Sequence, residues 1–218
     1  MKIKLSNSSR ALTLIEVLVV LGLLALLAGM LLPAGVGGSK ARAPRIQCVN
    51  NLKQVGLAFR IWEGDHGGNY PVSVSMTNGG TLEVVESGMA FRHFQVMSNE
   101  LNTPKILICP ADKKRKVATN FLSGFNNTTL SYFVGVDAYE GQAQMPLAGD
   151  RNMTLNNVEL SSGLHALATN AAVGWSEAIH KKQGNVLIAD ASVQQFSRSG
   201  LVEALKNSGT ATNRLVFP

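Results

Sequence analysis

The sequence predicts an α+β fold, in which a long N-terminal transmembrane helix continues into a soluble domain with a helix packed on an antiparallel β-sheet. Three observations support this prediction: a 22-residue apolar run at residues 11–32, a helical apolar stripe soon after it, and short strand patterns with turn signals in the second half of the chain. A helix followed by several short strands is typical of α+β domains with an antiparallel sheet.

The composition excludes several classes of protein. The 218 residues are 45% hydrophobic and 16% charged, which is too apolar and too weakly charged for a disordered chain. Two cysteines are too few for a disulfide-dense scaffold. The net charge is +6, but without the three basic residues before the apolar run it is 17 − 14 = +3. An ordinary surface charge of this size predicts no nucleic-acid partner.

The apolar run is long enough to cross a membrane. Residues 11–32 contain one charged side chain, Glu16, and as a helix they extend about 33 Å, against roughly 30 Å for the hydrocarbon core of a bilayer. Lys2, Lys4 and Arg10 precede the run. The positive-inside rule therefore places the N-terminus in the cytoplasm and the rest of the chain beyond a single membrane span.

Two simple interpretations of this run are less satisfactory. A secretory signal peptide has an apolar core of about 7–15 residues and a small-residue cleavage site, and the sequence Ala34-Gly35-Val36 is a poor site of that kind. A plain signal anchor explains the length and the flanking charge. It gives no reason for Glu16, because an ionisable group in such a segment is costly and usually has a role.

The residues Ala-Leu-Thr-Leu-Ile-Glu at 11–16 resemble the cleavage and methylation signal of type IV prepilins and type II secretion pseudopilins. The resemblance implies that a prepilin peptidase cuts between Ala11 and Leu12 and that the new amine of Leu12 is methylated. The family prefers glycine before the cut and phenylalanine after it, so this chain departs from the pattern at both positions. The remaining signal residues are Thr13, Leu14, Ile15 and Glu16, and Pro33 falls where many pseudopilins also carry proline.

The resemblance implies a structural subunit that catalyses no reaction and assembles into a pseudopilus or a type IV pilus. Its implied partners are the prepilin peptidase, other pilin or pseudopilin subunits, an assembly ATPase, a platform protein and the membrane. Glu16 of one subunit would pair with the N-terminal amine of a neighbour and set their register, because opposite charges attract strongly in a medium of low dielectric. The alternative is a membrane-anchored exoplasmic binding module that does not polymerise.

The chain is predicted to divide into four segments. They are a cytoplasmic leader (1–11), a transmembrane or filament-core helix (12–32), a hinge rich in glycine and proline (33–44), and an exoplasmic pilin-like α+β domain (45–218). The hinge composition is unfavourable for a helix. We therefore expect the long helix to be bent or loosened there, with a plain flexible linker as the alternative.

Within the last segment, residues 45–63 have helical periodicity, with an apolar stripe at Cys48, Leu52, Val55, Phe59 and Trp62 that predicts a face packed on the sheet. Further helices are predicted near residues 88–101 and 201–207. Strand patterns lie at residues 81–85, 105–109, 130–136, 144–148, 164–169, 185–189 and 193–196. The last two form the clearest hairpin, and the tail at 214–218 is too short to place.

Three further motifs are similar to those of a large pseudopilin-like subgroup. Its CxNNLKQ element matches the residues from Cys48, and its DxxGxYP element ends here at Pro71. Its H-x9-DG element is present as His180 and Asp190, with Ala191 in place of the glycine. We interpret this pair structurally, with Asp190 capping the hairpin turn and His180 bonding a backbone group; a metal site is the alternative.

The two cysteines lie on the outer side of the predicted membrane, where disulfides persist. Cys48 and Cys109 are therefore a candidate disulfide, and two buried free thiols are the alternative. Some pseudopilins that this chain resembles bind calcium, for which Asp65 with Asn69, or Asp150 with Asn152, offers oxygen ligands. Neither pair has the acidic density of an EF-hand loop, so we expect no metal and no cofactor.

Overall fold

The computed structural model describes residues 13–31 and 36–218. The chain divides into two units at Lys40–Ala41. The predicted leader and cleavage position, including Ala11 and Leu12, lie outside the described residues, as does Pro33.

The first unit contains helix α1 (Leu14–Leu31). Apart from Glu16 its sequence is uncharged and almost wholly apolar, so it has no polar face of the kind that surface helices present to water. The predicted helix at 12–32 is thus present over 14–31. In the described ranges 13–31 and 36–218, no helix is both long enough and apolar enough to cross a membrane.

Helix α2 (Val36–Asp65) begins nine residues before the predicted helix at 45–63. Residues 36–44 are therefore helical and do not form the plain flexible linker that was the alternative, while a bend of the helix there stays a prediction. Pro44 lies inside the helix, where it removes one backbone hydrogen bond. A helix accommodates the unfavourable glycine and proline residues of this segment because they extend a helix that is already formed. The costly nucleation of a new helix is therefore avoided.

The predicted face of α2 is confirmed. The side chains of Cys48, Leu52, Val55 and Phe59 are fully buried and that of Trp62 nearly so. Gly68 ends the helix with a left-handed φ of 80°, and its N–H donates to the carbonyl of Glu63. Two residues later, the buried Tyr70 hydroxyl donates to the carbonyl of Ala189 at 3.0 Å, which joins the end of α2 to the main sheet.

The main sheet has six antiparallel strands in the order β5-β9-β1-β2-β7-β8. These strands are β1 (Tyr132–Gly135), β2 (Pro146–Asp150), β5 (Gly163–Ala168), β7 (Gly184–Ile188), β8 (Val193–Phe196) and β9 (Thr212–Phe217). A second sheet, in the order β4-β3-β6, contains β3 (Met153–Leu155), β4 (Val158–Glu159) and β6 (Val173–Trp175). The predicted α+β class, with a helix packed on an antiparallel sheet, is confirmed.

Both faces of the main sheet are covered. On β7, Leu187 packs in the cluster that contains the α2 stripe, whereas Val186 and Ile188 pack in a second cluster. This alternation follows the two-residue period of a strand. The second cluster includes Leu201 and Leu205 of helix α5 (Arg198–Asn207). The main sheet is thus the middle layer of the second unit.

Two predicted strands are wrong. Residues 82–84 and 104–107 are short 3₁₀ helices, the second with Pro104 at its start, where a missing N–H costs nothing. The predicted helix at 88–101 is divided into α3 (Ala90–Gln95) and α4 (Ser98–Leu101). The C-terminal tail, unplaced from the sequence, is part of β9 between β5 and β1.

Candidate functional sites

The first candidate site is the start of α1, where Thr13 and Glu16 form a reciprocal capping box. The N–H of Glu16 donates to the Thr13 hydroxyl at 3.3 Å, and Oε2 of Glu16 accepts from the Thr13 N–H at 3.0 Å and from its hydroxyl at 3.1 Å. This S/T-x-x-E/Q arrangement satisfies two N–H groups that a helix N-terminus otherwise leaves unpaired. Glu16 therefore has a local structural role in addition to any contact with a neighbouring subunit.

The second candidate site is a buried cluster formed by Cys48, Cys109, Asp150 and His180. Cys48 lies on α2, Cys109 follows the 3₁₀ helix at 104–107, Asp150 ends β2, and His180 lies between β6 and β7. One side-chain atom from each residue lies within 4.8 Å of the corresponding atoms of the others. The sheet order brings β7 next to β2, and the packing of α2 brings Cys48 to the same place.

Individual contacts show that the four side chains converge. The sulfur of Cys109 lies 3.2 Å from Nε2 of His180, and the same ring nitrogen lies 3.5 Å from Oδ2 of Asp150. The thiol of Cys48 donates to Oδ1 of Asp150 at 3.2 Å. Both cysteines are free and buried, so the predicted disulfide is not formed in this structure, although the two sulfurs lie within 4.8 Å of each other.

Two polar side chains surround the cluster. Asn185 donates to Oδ2 of Asp150 from its backbone N–H at 2.7 Å and from its side-chain amide at 2.9 Å. The Tyr132 hydroxyl lies 3.4 Å from the sulfur of Cys48. Both residues are buried, so these contacts hold the carboxylate and one sulfur in fixed positions.

Burial determines the electrostatics of the cluster. Burial raises the pKa of Asp150 to about 7, and the hydrogen bonds from Asn185 oppose this increase. Burial, followed by the positive charge of Arg45, lowers the pKa of His180 to about 4, so its imidazole is neutral at pH 7. Burial also raises the pKa of the Cys48 thiol well above its usual value.

The backbone that carries His180 has an uncommon conformation. His180, Lys181 and Lys182 have φ values of 55°, 52° and 61°, in the left-handed region that costs a residue with a Cβ roughly 1–2 kcal/mol. The guanidinium of Arg45 donates to the His180 carbonyl at 2.6 Å and to the side chain of Gln183. The segment that carries the imidazole is thus held by Arg45 of α2.

A surface cavity of about 350 Å³ lies beside His180. Its walls include Arg42, Arg45, Ala178 and Lys181. His180 lines this cavity, whereas the two cysteines and Asp150 are fully buried and do not. The cavity therefore borders one residue of the cluster.

The structure separates several residues that the sequence analysis grouped. Asp190 lies in the turn between β7 and β8, where Oδ1 accepts from the N–H of Ser192 at 2.8 Å, which is the capping role expected. His180 faces the cluster and bonds no backbone group through Nε2. Ala191 takes the left-handed φ of 67° that a glycine in the H-x9-DG element would adopt freely.

Neither calcium pair forms an oxygen cage. Asn69 donates to the carbonyls of His66 and Gly67, so it caps the end of α2. Asn152 donates to three backbone carbonyls, of Ser176, Ile179 and Gln183, and thereby supports the segment that carries His180. Asp150 faces the cysteines. Sequence reasoning paired Cys48 with Cys109 as a candidate disulfide and named His180 and Asp150 for other roles, and no local signal placed the four together.

Comparison with known proteins identifies the N-terminal segment. Residues 6–32 match the family model described as the prokaryotic N-terminal methylation motif. No curated protein and no solved structure matches the chain. The matched residues include the Thr13–Glu16 capping box and all of α1. The chain thus carries a prokaryotic N-terminal methylation motif, which supports a prepilin-type pilin or pseudopilin.

Proposed function

We propose that this protein is a prepilin-like structural subunit, cut between Ala11 and Leu12, methylated on Leu12 and assembled into a pseudopilus or a type IV pilus. The observation that carries the proposal is the match to the N-terminal methylation motif at residues 6–32. The assembled protein requires a prepilin peptidase, other pilin or pseudopilin subunits, and the ATPase and platform protein that drive assembly. Before assembly, the apolar run at 11–32 anchors the chain in the inner membrane, with its N-terminus in the cytoplasm.

The form of α1 supports this proposal. The helix has one charged residue, Glu16, and no polar face. A helix that is apolar on every side is stable only where apolar groups surround it, as in a helix bundle or a lipid bilayer. The capping box starts this helix at Leu14, two residues beyond the proposed new N-terminus, so the mature chain is helical almost from its first residue.

The geometry of the buried cluster favours a structural role over catalysis, and we propose that the chain is not itself an enzyme. In a cysteine–histidine–aspartate catalytic arrangement, the thiol and the carboxylate contact opposite nitrogens of the imidazole. Here the sulfur of Cys109 and Oδ2 of Asp150 both face Nε2 of His180. A proton taken from the thiol would therefore have no oriented partner on the far side of the ring.

Processing is tested by intact-mass and N-terminal analysis of the protein taken from membranes of cells with an active prepilin peptidase. We expect a mature chain of 218 − 11 = 207 residues that begins with methylated Leu12. The same protein from cells without the peptidase should keep residues 1–11. An intact Met1 terminus in the peptidase-containing cells would contradict the proposal and favour the anchored binding module.

The role of Glu16 is tested with Glu16→Gln and Glu16→Val. Glutamine keeps the capping box but removes the charge that would pair with a neighbour's amine, whereas valine removes both. We expect both variants to insert into the membrane, since each removes a charge that costs about 2.5–3.5 kcal/mol at the centre of a spanning helix, and less near its end. We expect neither to form filaments.

The comparison separates two explanations of the Thr13–Glu16 pair. Filament yield is measured by shearing and immunoblotting, and membrane insertion by fractionation. Normal filaments from Glu16→Gln together with none from Glu16→Val would show that capping, and not charge pairing, is what assembly requires. Cleavage before Leu12 should be checked in both variants, so that a processing defect is not mistaken for an assembly defect.

A further inference from the structure

We propose that Cys48, Cys109, Asp150 and His180 bind one zinc ion in a closed structural site. The four side chains come from four separate parts of the second unit and direct their ligand atoms to one point, within 4.8 Å of one another. All four residues are buried. This inference concerns the soluble domain and does not depend on whether the chain is processed or polymerises.

The distances suit a tetrahedral ion. With zinc–sulfur bonds near 2.3 Å and zinc–nitrogen or zinc–oxygen bonds near 2.0–2.1 Å, neighbouring ligand atoms lie about 3.3–3.8 Å apart. The measured separations are 3.2 Å from Cys109 sulfur to His180 Nε2, 3.5 Å from that nitrogen to Asp150 Oδ2, and 3.2 Å from Cys48 sulfur to Asp150 Oδ1. All the ligand atoms lie within 4.8 Å of one another, so shifts of up to about 1 Å bring the four into the tetrahedral range.

The types of ligand select zinc among the common metals. Calcium and magnesium take oxygen ligands only, whereas two sulfurs, one imidazole nitrogen and one carboxylate oxygen form a tetrahedral set typical of zinc. Binding displaces the two thiol protons to solvent and leaves both sulfurs as thiolates. With the carboxylate, the ligands then carry three negative charges against two positive charges on the ion.

The surroundings match those of a metal site. A ligating carboxylate is normally held by hydrogen bonds from outside the first coordination shell, and Asn185 donates two such bonds to Asp150. Arg45 holds the carbonyl of His180 and places a positive charge beside a site of net negative charge. The cavity beside His180 brings solvent next to one of the four proposed ligand residues.

A disulfide between the cysteines explains less of the geometry. It would account for the approach of Cys48 and Cys109, but not for a fully buried carboxylate and an imidazole directed at the same point. Buried charges in proteins are paired or bind metals, and among the described residues the one basic side chain within 4 Å of Asp150 is His180, whose imidazole is neutral at pH 7. Four ligands around one ion give each of these side chains a partner.

The consequence is a cross-link that joins the helix to the sheet. The ion would connect α2, the segment after the 3₁₀ helix at 104–107, the end of β2, and the connection between β6 and β7. Cys48 lies twelve residues after the start of α2 at Val36. The zinc site would therefore hold the first soluble turns of the long helix against the domain that it carries.

The test begins with the wild-type full chain, purified from membranes in detergent without reductant or chelator. Metal content is measured by inductively coupled plasma mass spectrometry, and the thiols are alkylated in denaturant before and after adding a chelator. We expect about one zinc per chain and two thiols that react only after the chelator has removed the metal. Replacement of zinc by Co²⁺ should produce the visible absorption of tetrahedral cobalt with thiolate ligands.

Variants assign the ligands. Cys109→Ser and His180→Gln each remove one ligand atom with little change in size, and we expect the zinc content of each to fall at least tenfold, the lower end of the loss seen for outer-shell changes. His93→Gln is the matched control, because His93 is also a fully buried histidine but its Nδ1 lies 2.7 Å from the Thr81 hydroxyl. This control should keep its zinc.

Two results would overturn the proposal. One is a wild-type chain that carries no zinc and is lighter by two hydrogens, with both cysteines protected until reduction, because this is the disulfide. The other is a zinc-free chain whose thiols react at once in denaturant and which gives no cobalt spectrum. Because both readings come from the wild type, a variant that fails to fold leaves the test intact.

Discussion

Asp112→Ala is expected to lower the free energy of unfolding by about 3–5 kcal/mol, the cost of breaking a buried ion pair by removing one partner. Oδ2 and Oδ1 of Asp112 accept from Nε and Nη2 of Arg151 at 2.6 and 2.8 Å, and the side chains are 1% and 10% exposed. Ser131 and the N–H of Lys114 donate to the same carboxylate. Removing it leaves a buried guanidinium without its counter-charge.

The measurement is urea unfolding of the full chain, followed by the fluorescence of Trp62 and Trp175, which are both buried. The double variant Asp112→Ala with Arg151→Met should lose less free energy of unfolding than Asp112→Ala alone, because it leaves no unpaired buried charge. Lys182→Ala is the exposed control. It removes a pair with Glu177 whose side chains are 71% and 73% exposed, and such pairs contribute about 0–1 kcal/mol. If Asp112→Ala and Lys182→Ala lowered the free energy of unfolding equally, the account of the buried pair would be wrong.

The pairing of Asp112 with Arg151 also makes the free energy of unfolding depend on pH. Burial raises the pKa of Asp112, but the hydrogen bonds and charge of Arg151 outweigh burial and place the pKa below its usual value. The unfolded state therefore binds the proton first as pH falls. The stabilisation is complete above about pH 4, the ordinary pKa of an aspartate, and is lost as pH falls below that value. The difference in stability between wild type and Asp112→Ala should narrow in the same range.

Phe59→Ala is expected to lower the free energy of unfolding by about 3–5 kcal/mol, the range for removing a buried aromatic side chain and leaving a cavity. Phe59 is fully buried on α2. Its ring meets those of Tyr70 and Phe94 edge-to-face, with centroids 5.6 and 6.1 Å away. It therefore contacts both the segment that follows α2 and helix α3, and its removal would leave a cavity between them.

A neighbouring residue of α2 supplies the control. Leu57 is 60% exposed, so Leu57→Ala should change the free energy of unfolding by no more than about 0.5 kcal/mol. The same urea titration measures both variants. If Phe59→Ala lowers the free energy of unfolding by less than about 1 kcal/mol, α2 does not pack on the domain as described. Energy changes this small are typical of sites where a substitution leaves no cavity.

Much of the fold follows from short patterns. The stripe from Cys48 to Trp62 predicts both a helix and its buried face, because an amphipathic helix repeats every 3.6 residues wherever it packs. The hairpin of β7 and β8 follows from two strand patterns joined by a short turn. The strands predicted at 81–85 and 105–109 are wrong because a run of three or four apolar residues fits a 3₁₀ turn as well as a strand.

The sequence by itself determined the cleavage and methylation signal at residues 11–16 and the amphipathic helix with the stripe from Cys48 to Trp62. Each depends on residues a few positions apart, and backbone geometry alone sets their spacing. The zinc-ligand cluster is different, since Cys48 and Asp150 are 102 residues apart and Cys109 and His180 are 71 apart. Only the pairing of β2 with β7 and the packing of α2 decide that these side chains meet, because such contacts arise from long-range sheet order that no local pattern encodes.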